Sequence, residues 1–365
     1  MVAGAPSVER ELALSHRAYA TVVFSVPLVL AAAIEGAVAY VSDRADRRRL
    51  VVAGQAGLAT ALLVAACTRS PAGLALALTL AGAASGIACN AAQAQLVEGD
   101  PARADRAMVR WTLLSCVGDV LAPVVTAAAI ALGSSYRGAM AVVGALVAGQ
   151  CVVTALFHAK TATAAGPAGD GAERAHDEPS PRGSPRLWAW LFAAASCTLL
   201  DEIVVALAAL RMEREQGERE AIATAVAVAF SLGAVAGSAW AERAVERWGA
   251  RAVLGASAAA TVLALGAYSM TGGVVGASLA LLLLGLACAP QHGLALAQAY
   301  QVLPGSPGRV QALAQVFVVV DVGAPFVIGL AADRLGPGRA IELLAIQPLV
   351  VLACVVSAGR GRDRV

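Results

Sequence analysis

The chain has 365 residues, 59% of them hydrophobic and 14% charged, with a mean hydropathy of +0.72 and a formal net charge of +2. A soluble domain carries about 25% charged residues, so this composition excludes an ordinary water-soluble globule and points to lipid as the solvent. No nucleic-acid partner is expected, because the basic residues are scattered through the connections and form no single patch.

Apolar runs of roughly 20 residues, the length a bilayer demands, recur along the chain. They are continuous Ala/Leu/Val rather than alternating, so helices and not barrel strands are predicted. Eleven spans follow: 19–41, 50–67, 72–97, 107–132, 138–158, 187–210, 221–241, 250–271, 273–302, 310–331 and 340–358. Between the fifth and sixth, residues 159–186 hold four Pro, four Gly and mixed charges. That composition cannot bury a core and reads as a flexible linker. The predicted fold is therefore an all-α polytopic membrane protein, with a bundle at 1–158, the linker, a bundle at 187–358 and a tail at 359–365. All seven cysteines lie inside apolar runs, without the close spacing of a zinc or redox motif, and read as small core side chains.

Orientation follows from the basic residues. Of 27, 18 fall in Ser42–Arg49, Glu98–Arg110, the linker, Ala241–Arg251, Val302–Arg309 and the tail. That side is predicted to be cytoplasmic, in the cell (inner) membrane. Residues 1–18 are polar, with no apolar stretch of a signal peptide.

The chain repeats itself. Gln95, Pro101, Arg106 and Arg137 recur as Gln298, Pro304, Arg309 and Arg339, and Asp119-Val-x-Ala-Pro123 as Asp321-Val-x-Ala-Pro325. The offset holds at 202 or 203, so the chain is two large copies and not a short-period solenoid. Shifted by that repeat, Leu187–Leu210 has its partner before Met1. The expectation is that a first helix of the pattern is missing, which the upstream reading frame would test.

Carboxylates inside the spans carry the chemistry: Asp119, Asp201, Glu202 and Asp321, with Glu35 nearer one end. Each costs about 2.5–3.5 kcal/mol at a helix centre, so they are predicted to face a wet cavity, find partners or carry protons. For Asp119 and Asp321 the alternatives are a pair flanking a central cavity and an inherited helix-to-helix hydrogen bond. Asp201 and Glu202 are adjacent, ~100° apart on a helix, so at most one points squarely inward. Lys and Arg are absent from the depth of the spans, which disfavours phosphates and polycarboxylates and suits protons, cations or neutral solutes. Asn90 and Gln93, three apart on one face, and Gln291, His292 and Gln298 around the Pro290 interruption supply neutral polarity. His292 is the one histidine at depth, either a proton relay or a structural hydrogen-bonder.

Val38–Arg49, reading VAYVSDRADRRR, resembles the loop motif G-x-x-x-D-R-x-G-R-R of the major facilitator superfamily. Asp43 and Arg44 match its acid–base pair and Arg47 and Arg48 its basic end, while Ala39 and Asp46 replace its glycines. A weaker copy surrounds Glu242, Arg243 and Arg247, and Gly329-x-x-x-Asp333-Arg334-x-Gly336 repeats the pattern on the other face. The resemblance implies two six-helix bundles related by a pseudo-two-fold axis, a substrate site between them and alternating access. Gly82-x-x-x-Gly86 and Gly233-x-x-x-Gly237 fit close helix contacts. Gly118-x-x-x-Ala122-Pro123 faintly resembles the fifth-helix motif of the superfamily's drug/proton antiporters.

The reading is a secondary transporter of a small neutral or cationic solute, coupled to protons, acting as a monomer in the lipid bilayer without cofactor or metal. Import and export stay open. The alternative is a membrane sensor or scaffold that kept the fold and lost transport. An enzyme is disfavoured by the lack of a nucleophile motif, a metal cluster and a Gly-Lys-Ser/Thr phosphate loop.

Overall fold

In an apolar solvent every backbone amide must be satisfied within its own segment, and the Ala/Leu/Val runs leave only helix open to them. In this computed structural model, which describes residues 8, 11–12, 21–42, 45–131, 135–164 and 184–360, helices account for all the regular structure, with no strand among the described residues. A short π-helical turn, Thr21–Ser25, leads into α1 (Val26–Ser42); α2 (Arg47–Cys67), α3 (Pro71–Gly99), α4 (Ala104–Ala131) and α5 (Tyr136–Ala164) follow. The second half of the sequence gives α6 (Pro185–Arg214), α7 (Glu220–Trp248), α8 (Ala250–Met270), α9 (Gly273–Cys288) and α10 (Pro290–Val302). It ends with α11 (Pro307–Ala314), α12 (Val318–Leu335), α13 (Pro337–Leu343) and α14 (Ile346–Arg360).

Over its described residues, each of the eleven predicted spans is mainly helical. Three of them are broken: 273–302 at Pro290, 310–331 by a 3-10 turn at Gln315–Phe317, and 340–358 after Leu343. Eight segments are long and apolar enough to cross a bilayer among the described residues. Of the predicted linker, residues 159–164 continue α5 and Pro185 and Arg186 open α6. Asp43 and Arg44 lie outside the described residues. Asp46, which replaces a glycine of the resembled motif, caps α2: its side chain accepts the Arg48 N–H at 3.0 Å.

Contacts divide the chain into two compact units. The first holds Met1–Gln95, Pro123–Ser184 and Gly305–Gln315; the second holds Leu96–Ala122, Pro185–Pro304 and Val316–Val365. Each unit thus includes one segment from the opposite half of the sequence, and the repeat matches those two segments through Arg106 and Arg309.

Small residues set the helix spacing within both units. In the second, a Cβ on Gly233, Gly237 or Gly285 would overlap the carbonyl oxygen of Leu282, Leu286 or Phe230, so α7 and α9 touch backbone to backbone. In the first, Ala31 and Glu35 of α1 face Gly82 and Gly86 of α3. The second unit's core gathers Leu200, Leu207, Met212, Leu281, Leu284 and Ile341, all buried. A smaller cluster in the first joins Leu12, Val23, Ala65, Leu74 and Tyr136.

Candidate functional site

The break at Pro290 splits one span into α9 and α10 and sets His292 against α6. Proline removes an amide donor and starts α10 at its first position. His292 donates from Nδ1 to the Ala194 carbonyl at 3.1 Å, which fixes the tautomer because a carbonyl only accepts. One turn along α6 from Ala194, Thr198 donates to Asp321 Oδ1 at 2.6 Å. Asp321 opens α12 just after the 3-10 turn and lies within electrostatic range of His292. Three interrupted or terminal helix segments therefore bring one acid, one hydroxyl and one histidine together on one face of α6.

Beneath this cluster runs a fully buried chain of side-chain amides. The Leu200 N–H donates to Gln347 Oε1 at 3.0 Å, and Gln347 Nε2 donates to Gln291 Oε1 at 3.1 Å. Gln291 Nε2 donates to Thr261 Oγ1 at 2.7 Å, and Thr261 returns its proton to the Ser257 carbonyl at 2.9 Å. Each member is satisfied, as buried polar groups require. Gln291, predicted as a cavity residue, is a member of this chain, and Gln347 and Thr261 were missed because a lone Gln or Thr in an apolar run carries no pattern of its own.

The other predicted residues separate. Asp119 stands exposed midway along α4, unlike its repeat partner Asp321. Asp201 and Glu202 lie in α6, with side chains outside the described residues. Asn90 is half-buried on α3, and Gln93 on the same helix is buried and accepts from Gln311 Nε2 at 2.8 Å. Glu35 accepts from Gln315 Nε2 at 3.2 Å. Gln298 sits at the far end of α10, taking the Arg251 Nε proton at 3.1 Å and reaching Asp105 Oδ1 at 3.4 Å. Arg47 is buried at the start of α2, and Arg48 is exposed.

The Asp105 end holds a second, charged constellation that the sequence did not reveal. Arg106 Nε meets Glu242 Oε1 at 2.8 Å, Arg110 Nε meets the same oxygen at 2.6 Å, and Arg106 also pairs with Glu246. The Arg106 hydrogen bond, helped by Arg110, holds the Glu242 carboxyl below the usual range. Asp105 accepts from Gln301 Nε2 at 3.0 Å, and burial outweighs its amide partners and Arg251 to push its carboxyl up.

A family model described as Major Facilitator Superfamily matches residues 1–326. The chain belongs to the Major Facilitator Superfamily. It is a multi-pass membrane protein with the fold of that superfamily's transporters. Among solved structures, the E. coli fucose:proton symporter FucP superposes with a TM-score of 0.73 at 15% identity, covering 97% of this chain and 94% of that one. The proton:xylose symporter XylE, solved with 6-bromo-6-deoxy-D-glucose, gives 0.75 at 11% identity over 96% and 90%. The human organic anion transporter MFSD10 gives 0.69 at 17% identity over 96% and 87%. At these identities the likeness is one of fold. No curated protein matches the chain.

Proposed function

We propose that this chain is a proton-coupled secondary transporter of a small neutral or cationic solute, working by alternating access between bundles at 1–158 and 187–358. The observation that carries the reading is the Thr198–Asp321 hydrogen bond beside His292, an ionisable cluster assembled from interrupted helices within the membrane. Broken helices are where many secondary transporters place substrate and coupling ions, and a carboxylate at such depth costs enough to need a function or a partner. Two of the similar folds are described as proton symporters, which supports the coupling. Asp119, Asp201, Glu202, Asn90, Gln93, Gln291 and Gln298 complete the set of candidate cavity residues, and Asp43, Arg44, Arg47 and Arg48 a gating loop. The linker and C-terminus are assigned to the cytoplasm.

Reconstituted vesicles with an imposed pH gradient test this. A panel of uncharged and cationic solutes is screened for uptake and for solute-induced alkalinisation. Asp321→Asn is expected to abolish gradient-driven accumulation while leaving exchange of solute across the membrane. Survival of proton-driven flux in Asp119→Asn, Asp201→Asn, Glu202→Gln and Asp321→Asn alike would refute the coupling.

A further inference from the structure

The segment Gly305–Gln315 belongs to the second half of the sequence yet packs in the first unit, with α11 lying along α1. Two side chains one turn apart hold it there. Gln311 donates to Gln93 of α3 at 2.8 Å, and Gln315 donates to Glu35 of α1 at 3.2 Å. Opposite Gln315, the Glu35 carboxyl fills the notch left by Gly86: a Cβ there would overlap the acid, and one on Gly82 would stand 3.0 Å from the Ala31 methyl. The half-buried acid thus sits between a glycine and an amide.

The matching segment in the second unit is built differently. Met108 and Thr112 of α4 lie against Gly293, and Cys116 faces Ser238 at 3.9 Å. Backbone, hydroxyls and a thiol make those contacts, and the carboxylates of that segment's crossing, Asp105 and Glu242, lie further toward its start, Glu242 paired with Arg106 and Arg110. Duplication has therefore left two related crossings, of which the first places a carboxyl group where the second has the Cys116–Ser238 contact.

We infer that Glu35 is a proton-binding site that governs release of the Gly305–Gln315 segment from α1 and α3. In its neutral form the acid accepts from Gln315 Nε2 and brings no charge to the contact. Ionisation leaves a half-buried carboxylate against apolar helix surface, where charge is costly and parting the contact lets water reach it. The protonated clasp stays shut; loss of the proton to water parts it. The titratable group that faces Glu35 from α3 is the Cys89 thiol. The segment itself presents Gln315, and its one charge, Arg309, lies six residues earlier. The movement matters for transport only if the reading above holds, but the clasp can be tested without any solute.

The test uses full-length protein in lipid nanodiscs, with the native cysteines replaced and spin labels at Arg49→Cys and Ser306→Cys, both in the first unit. Pulsed dipolar spectroscopy between pH 5 and 9 is expected to show a short distance in acid and a longer one in base, exchanging along a one-proton curve. Glu35→Gln, which stays neutral at every pH and keeps an acceptor for Gln315, is expected to hold the short distance throughout. Gln315→Leu, which keeps the acid and removes its partner, is expected to favour the longer distance even in acid and guards against misfolding of the first variant. A wild-type distance that ignores pH, or a Glu35→Gln variant that titrates like wild type, overturns the inference. A titrating distance without solute flux in vesicles would instead leave the proton site standing and remove the transport reading.

Discussion

Arg106 of α4 and Glu242 of α7, 136 residues apart in the chain, meet at 2.8 Å, and Arg110 one turn along α4 shares the same carboxylate oxygen. This two-to-one fork fastens a segment from the first half of the sequence to a helix of the second, inside one compact unit. Its members are partly exposed, so its strength lies in geometry and in the neighbouring Glu246 rather than in a dry environment.

Glu242→Gln is expected to loosen that fastening. With cysteines at Arg103 and Arg243, both exposed and outside the fork, the yield of a short bifunctional maleimide cross-link should fall roughly two- to fivefold at low salt, and the difference from wild type should fade near 1 M salt. Exchanging the charges, Arg106→Glu with Glu242→Arg, should recover part of the yield. An unchanged yield in Glu242→Gln at low salt would show that apolar packing alone holds α4 in place.

The same contact should respond to pH in two opposed ways. Glu242 has a depressed carboxyl, so its contribution is present above the ordinary glutamate range and is lost only as pH falls through the depressed value. Asp105 has a raised carboxyl, so its contribution is complete below the ordinary aspartate range and is lost as pH rises through the raised value. Mild acid should therefore tighten the contact slightly and strong acid should break it. Asp105→Asn should remove the mild-acid limb of the cross-linking profile and leave the strong-acid limb, and retention of both limbs would assign the first one elsewhere.

Much of this fold was legible because lipid imposes a length and a composition: the eleven spans, the break at Pro290 and the Gly233/Gly237 contact all follow from residue types along the chain. The doubling was legible through polar landmarks such as Asp119 and Asp321. Their environments were not, since Asp321 meets Thr198 while Asp119 is exposed, and equal position in a repeat does not confer equal neighbours. Ala/Leu runs are apolar on every side, so their periodicity does not say which face meets which helix. That is why the Arg106–Glu242 fork and the Gln311–Gln93 bond, 218 residues apart, needed coordinates.

Glycines offer a controlled comparison. Gly285 opposes the Phe230 backbone closely enough that a side chain would overlap it, whereas Gly149 on α5 has open space around its missing Cβ. Gly285→Val should force α7 and α9 apart and destabilise the protein by about 1–3 kcal/mol, read as a lowered Tm in detergent. Gly149→Ala should be neutral or slightly stabilising through helix propensity, up to about 1 kcal/mol. Equal responses at the two sites would mean that α7 and α9 are less closely apposed than described.

Gln291 separates a structural role from a substrate-binding one. It is fully buried and bonded on both sides, to Gln347 through its oxygen and to Thr261 through its nitrogen. Gln347→Leu strips the donor from Gln291 Oε1 and should cost about 1–3 kcal/mol, the penalty for an orphaned buried group. Adding Gln291→Leu removes that orphan, Thr261 keeps its own acceptor on Ser257, and the loss of the Leu200 N–H bond to Gln347 is common to both variants. The double variant should therefore melt above the single Gln347→Leu variant, since removing both partners of a buried bond is far cheaper than removing one. If Gln291 instead turns to a bound solute in the working cycle, Gln291→Leu will change which solutes are carried whatever happens to the melting temperature. Thermal unfolding and vesicle uptake on the same three variants distinguish these outcomes, because packing and recognition make opposite demands on the Gln291 amide.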